Sequence, residues 1–208
     1  MAKVKTKRRT DPEGALIAAA MTLAARDGWR RLTMAAIAAE AGMAPTEAMA
    51  VFASTSHLLA GLGSRFDDAV LAELAVVDDT GDEGVKDRLF DILMRRFDAM
   101  APYRAGLAAV VRDLPGTPLA ALRQLCRLEQ SMARMLTAAA VPATGPLGAL
   151  RVKGLTLVYA NALRVWFDDD SADAAKTMAA LDWGLELADR AATACAGMPR
   201  PSRTAAEA

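Results

Sequence analysis

The residues able to do chemistry are few. His57 is the single histidine of 208 residues, and it stands between Ser54, Ser56 and an apolar helix. A serine and a histidine with no third group to orient the imidazole do not make an activated nucleophile. One histidine and two distant cysteines, Cys126 and Cys195, fall short of a metal site. The run Asp168–Asp169–Asp170 could attract a cation, but it reads as a solvated interhelical loop that caps the next helix. Glycine-rich phosphate loops are missing. The expectation is a protein that is not an enzyme and needs no cofactor. Charge is the remaining chemistry. Basic and acidic residues balance at 25 each, yet Lys3, Lys5, Lys7, Arg8 and Arg9 crowd into the first nine positions. Such an arm can displace counterions from nucleic-acid phosphates.

The elements behind the arm are helical. Apolar residues make up 53% of the chain while aromatics are only 5%, and Ala, Leu, Met, Arg and Glu favour helices. Asp11 can cap a first helix with Pro12 at its first position, and Gly28 stops it. Thr33 caps a short helix whose stripe is Met34, Ile37, Ala38 and Ala41, and Gly42 supplies a left-handed turn. Pro45 opens another short helix, running to about Phe52, and Ser54 caps a long one. Two short helices joined by a tight glycine turn are the layout of a helix-turn-helix.

These residues resemble the N-terminal domain of the TetR family of bacterial regulators. The resemblance covers residues 11 to 62 and rests on Gly28-Trp29, Leu32-Thr33-Met34, Ile37-Ala38, Ala41-Gly42-Met43, Phe52, Ser54, Leu58 and Leu59. It implies an all-α protein of about nine helices, with a three-helix helix-turn-helix domain followed by a helical bundle. It also implies DNA contacts at Thr33, Ala44, Pro45, Thr46, Ala48, Met49 and Thr55, beside the basic arm. Three of these depart from the family pattern: Ala44 replaces a capping Ser or Thr, Met49 a Tyr, and Thr55 a Lys. The segment 44–52 contains no Lys, Arg, Asn or Gln, the side chains that read base edges best.

The expected organisation is an arm over 1–10, the DNA-binding-like domain over 11–62, a ligand-binding and dimerisation bundle over 63–196, and a tail over 197–208. A polar break at 78–82 divides the long helix from the bundle. Within the bundle, Phe90, Met94, Phe97 and Tyr103 face Met132, Met135, Tyr159 and Trp166, large adaptable side chains suited to an apolar small molecule or lipid. Val152, Leu155, Tyr159 and Ala162 recur at three- and four-residue spacing, as do Met178, Leu181, Leu185 and Ala188. Because Leu157, Val158, Leu163 and Val165 make the first of these helices apolar nearly all round, the pair is expected to form a four-helix homodimer seam. Segments 86–106 and 166–183 also resemble the coenzyme Q accessory proteins, which share the fold but bind isoprenoid lipid and a partner enzyme. That resemblance implies an alternative function without DNA. No apolar stretch follows the basic start and none is long enough to span a membrane, so the expected location is the cytoplasm.

Overall fold

The computed structural model describes residues 11–75 and 84–196, with side chains as far as 193. The basic arm (Lys3, Lys5, Lys7, Arg8, Arg9), the 78–82 break and the 197–208 tail lie outside those residues. Among the described residues every regular element is helical: α1 (Pro12–Asp27), α2 (Met34–Glu40), α3 (Pro45–Val51), α4 (Thr55–Leu74), α5 (Val85–Met100), α6 (Arg104–Asp113), α7 (Pro118–Ala138), α8 (Gly145–Phe167) and α9 (Ala175–Ala196), with three short 3-10 turns. None of these helices is long and apolar enough to cross a membrane.

Local chemistry explains the first boundaries. The Asp11 carboxylate accepts the Gly14 N–H at 2.9 Å and Pro12 sits in the first turn of α1. Thr33 and Ser54 accept the Ala36 and His57 N–H groups, both at 3.2 Å, and so start α2 and α4. Gly42 takes φ +66° between α2 and α3, a conformation that glycine adopts without penalty.

Three later boundaries have local chemistry of their own. Thr117 makes no side-chain cap for α7; its hydroxyl donates back to the Leu114 carbonyl at 3.3 Å. The Pro/Gly stretch over 141–148 is loop only over 141–144, because α8 begins at Gly145, at φ +73°, with Pro146 in its first turn. Of the three aspartates at 168–170, Asp169 is not solvated. It is buried, and its carboxylate accepts the Thr177 N–H at 2.8 Å and the Thr177 hydroxyl at 2.7 Å. Hydrogen bonds from the Ser171 hydroxyl and then Thr177 hold this carboxyl well below the usual carboxylate range. Its backbone carbonyl accepts from Arg104 at 2.7 Å, which fixes the α8–α9 turn to α6.

One core runs from end to end of the described residues, from Leu16 and Ile37 in the first three helices to Leu181 and Leu185 in α9. The two expected domains share α4, which continues unbroken past residue 62. They also meet where α6 lies against α1. A Cβ at Gly106 would stand 2.6 Å from the Met21 carbonyl oxygen, so only glycine permits this approach. Gly106→Ala should therefore cost about 1–3 kcal/mol of overpacking. Urea denaturation followed by circular dichroism measures it, and an unchanged midpoint would show that α1 and α6 separate freely.

Candidate nucleic-acid interface and regulatory core

The outward face of the helix-turn-helix is made by both short helices and the start of α4. Thr33 is exposed at the N-terminus of α2, and Ser54 and Thr55 are half-buried at that of α4. Each capping hydroxyl of Thr33 and Ser54 accepts a backbone N–H and keeps its own O–H free to donate to a phosphate oxygen. Ala44 leaves α3 without a side-chain cap. Ala44, Pro45, Thr46 and Met49 are exposed, Met49 at 56%. Ala48 is not on this face: it is fully buried, packed with Phe52 and Ile37 in the core that holds α3 against α1 and α2. A base contact by Ala48 is thus corrected to a packing role. A methyl that points inward lets the short helix sit close, whereas helical spacing turns Thr46 and Met49 outward. The charged side chain on α3 is Glu47, and no cation stands beside it on that helix.

The long α4 carries this surface into the bundle, and a second element grips its start. Arg127 on α7 donates to the Ser56 carbonyl at 2.8 Å. Three turns further on, Asp67 is 4% exposed and gathers a polar cluster from the neighbouring helices. Arg96 of α5 donates to it at 3.1 Å, Ser131 of α7 at 2.7 Å and Arg134 of α7 at 3.3 Å. Arg96 also donates to the Tyr159 hydroxyl of α8, which in turn donates to Met100 Sδ at 3.0 Å. Burial pushes the Tyr159 phenol up, against the opposing pull of Arg96. Buried side-chain polar atoms are all partnered among the described residues.

This cluster is interleaved with the expected ligand site. Phe97 stacks on Tyr159 at 5.0 Å between ring centroids and meets Trp166 at 5.6 Å. Met132 and Met135 are fully buried with them, while Phe90 and Met94 are half-buried against the same core. Tyr103 is separate from the stack and packs on Phe66 at 5.9 Å. Asp67 and Arg96 did not emerge from the sequence. Arg96 does fall in register with Leu89, Ile92, Leu93 and Met100, and a charge inside an apolar stripe is the mark of a buried pair.

The expected dimer seam is corrected. Val152, Leu155, Tyr159, Ala162, Leu181 and Leu185 are buried inside one subunit, where α9 folds back along α8, and Met178 and Ala188 lie half-buried. The opposite face carries the exposed apolar side chains: Leu147, Leu150 and Leu157 on α8, and Trp183 and Leu187 on α9. Both stripes keep helical spacing. Periodicity alone does not say which of two apolar stripes the subunit itself covers.

Residues 16–62 match the family model described as bacterial regulatory proteins, tetR family. The fold is similar to that of the TetR transcriptional regulator from Nitrosomonas europaea, at TM-score 0.68 and 21% identity, covering 86% of this chain and 98% of that one. It is similar to a TetR transcriptional regulator from Rhodococcus sp. RHA1, at TM-score 0.56 and 16% identity over 85% and 94% of the two chains. A SmeT–triclosan complex matches at TM-score 0.51 and 19% identity, over 86% and 91%. No curated relative matches the chain.

Proposed function

We propose that this chain, a member of the TetR family of bacterial regulatory proteins, works as a homodimer whose DNA affinity is set by phosphate contacts and tuned by an apolar effector. Its family and fold are those of transcriptional regulators and not of enzymes. The observation that carries the finer reading is the outward face of the helix-turn-helix, where hydroxyls and helix N-termini suit phosphates but Thr46 and Met49 offer little to bases. Phosphate contacts position a protein without specifying sequence. An effector is supported by the aromatic and methionine core around Phe97, Met132 and Tyr159, and by triclosan in the SmeT complex, whose fold this chain shares. To enter, an apolar molecule must open the Phe97–Tyr159 stack. The adjacent Asp67 cluster would relay that displacement to α4.

Fluorescence anisotropy on duplex DNA across a salt series tests this reading. The logarithm of affinity should fall with log salt by about 0.9 for each phosphate neutralised, and deleting residues 1–9 should flatten that slope and remove most binding. Met49→Tyr with Thr55→Lys should tighten binding to operator and random duplex alike. Strong sequence selectivity surviving loss of the arm would refute the assignment of affinity to phosphates. The lack of any basic side chain on α3 also favours a second reading, a lipid- or quinone-binding accessory protein that does not bind DNA. Absence of DNA binding at low salt, with an isoprenoid quinone co-purifying, would establish that one.

A further inference from the structure

An open cleft of about 690 Å3 lies where α1 ends against α6. Arg26 and Asp27 come from the last residues of α1, Arg30 and Arg31 from the 3-10 turn Trp29–Arg31 that follows, and Arg112 and Asp113 from the end of α6. The two carboxylates are engaged. Arg26 closes on Asp27 through Nε and Nη2 at 3.0–3.2 Å. Asp113 accepts the Arg30 backbone N–H at 3.0 Å, where Gly28 turns the chain at φ +83°. The guanidinium groups of Arg30, Arg31 and Arg112 make neither an ion pair nor a hydrogen bond among the described residues. Three uncommitted planar cations thus line one cleft, two from the turn after α1 and one from the end of α6.

We propose that this cleft binds a small molecule carrying a phosphate or pyrophosphate group. Arginine presents a fork of N–H donors that matches phosphate oxygens in pairs, and it stays charged at every accessible pH. The cleft has the volume of a small-molecule site. Its polar, cationic walls suit a different ligand from the apolar effector of the bundle. A DNA backbone accounts less well for Arg112, which belongs to α6, whereas the outward face of the helix-turn-helix is made by α2, α3 and the start of α4; Arg31 stands two residues before Thr33, so the test separates the two ligands. A bound phosphate joining Arg31 to Arg112 would add a second tie to the Asp113–Arg30 latch and fix α1 against α6. Any effect on DNA affinity rests on the regulator reading; the binding itself does not.

The test is therefore made without DNA. Sodium pyrophosphate is titrated calorimetrically into the full chain, against sodium chloride at matched ionic strength. Saturable binding of one pyrophosphate per protomer is expected. Arg112→Ala and Arg31→Ala should each weaken it by roughly tenfold or more, the loss of one charge-assisted contact, while Arg123→Ala on α7 should leave it unchanged. These side chains are exposed, and the melting curve of each variant checks that the fold is intact. Pyrophosphate heats no greater than those of chloride, or equal affinity in Arg112→Ala, would overturn the proposal. So would a flattened salt dependence of DNA affinity in Arg30→Ala and Arg31→Ala with no pyrophosphate bound, since these residues would then be backbone contacts.

Discussion

Asp67→Ala should lower the unfolding free energy by about 3–5 kcal/mol, because it leaves the Arg96 charge buried without its partner. That is a large share of the roughly 5–15 kcal/mol by which a domain is stable. The carboxylate receives hydrogen bonds from Arg96, Ser131 and Arg134, so three donors on two helices lose an acceptor together. Arg134 is 41% exposed and can turn to Asp68 or to water, which makes Arg96 the costly orphan. Truncating both members in Asp67→Leu with Arg96→Met should recover much of the loss, since replacing a buried pair by apolar groups is often near neutral. Urea denaturation of Asp67→Leu, of Arg96→Met and of the double variant gives the coupling directly. A loss below about 1 kcal/mol for Asp67→Ala, the range of exposed pairs, would show that the cluster is solvated and structurally idle.

The same cluster shows where the sequence was legible and where it was not. Helix starts were readable because caps are local: Asp11, Thr33 and Ser54 each bond a backbone N–H three residues on. Contacts between helices have no such local mark. Asp67 lies 29 residues from Arg96 and 64 from Ser131, and its place beside Phe66 on α4 reads as an ordinary solvated acid. Ala48 shows the converse limit: resemblance put it among DNA contacts, and packing places it inside. The aromatic set was half legible. Phe97, Tyr159 and Trp166 do meet, but stripe spacing could not say that they would stack directly on one another. Asp169 escaped because the buried member of three adjacent aspartates depends on the turn leading into α9.

The proposed regulation requires that the surface and the bundle move together, and among the described residues α4 and α6 both connect them. Arg127 holds the start of α4 to α7, and Asp67 holds its middle to α5 and α7, with Arg96 reaching on to α8. Gly106 lets α6 lie against α1, and the Asp113–Arg30 hydrogen bond holds the end of α6 to the turn that follows α1. Hydrogen-bonded groups thus join Tyr159 of the aromatic stack, through Arg96 and Asp67, to the middle of α4.

Leu157→Glu with Trp183→Glu should convert a dimer into a folded monomer. Leu157 is 73% exposed and Trp183 64%, on adjacent helices whose other sides are already buried within the subunit. Leu150 stands one heptad before Leu157, and Leu187 one turn after Trp183, so the apolar strip continues along both helices. A contiguous strip of this kind marks an interaction surface. In a twofold arrangement each substitution enters the interface twice, and a tryptophan at its centre contributes on the order of 2 kcal/mol or more. Light scattering should then report a mass falling from twice 21.9 kDa to that value, with unchanged helical circular dichroism. Leu181→Glu with Leu185→Glu gives the contrasting result. Those side chains are 0% and 3% exposed, so charges there should unfold the bundle itself, beyond any loss of the dimer. A dimer that persists in Leu157→Glu/Trp183→Glu would move the interface elsewhere. A folded monomer from the Leu181/Leu185 pair would return it to the stripe that the subunit buries.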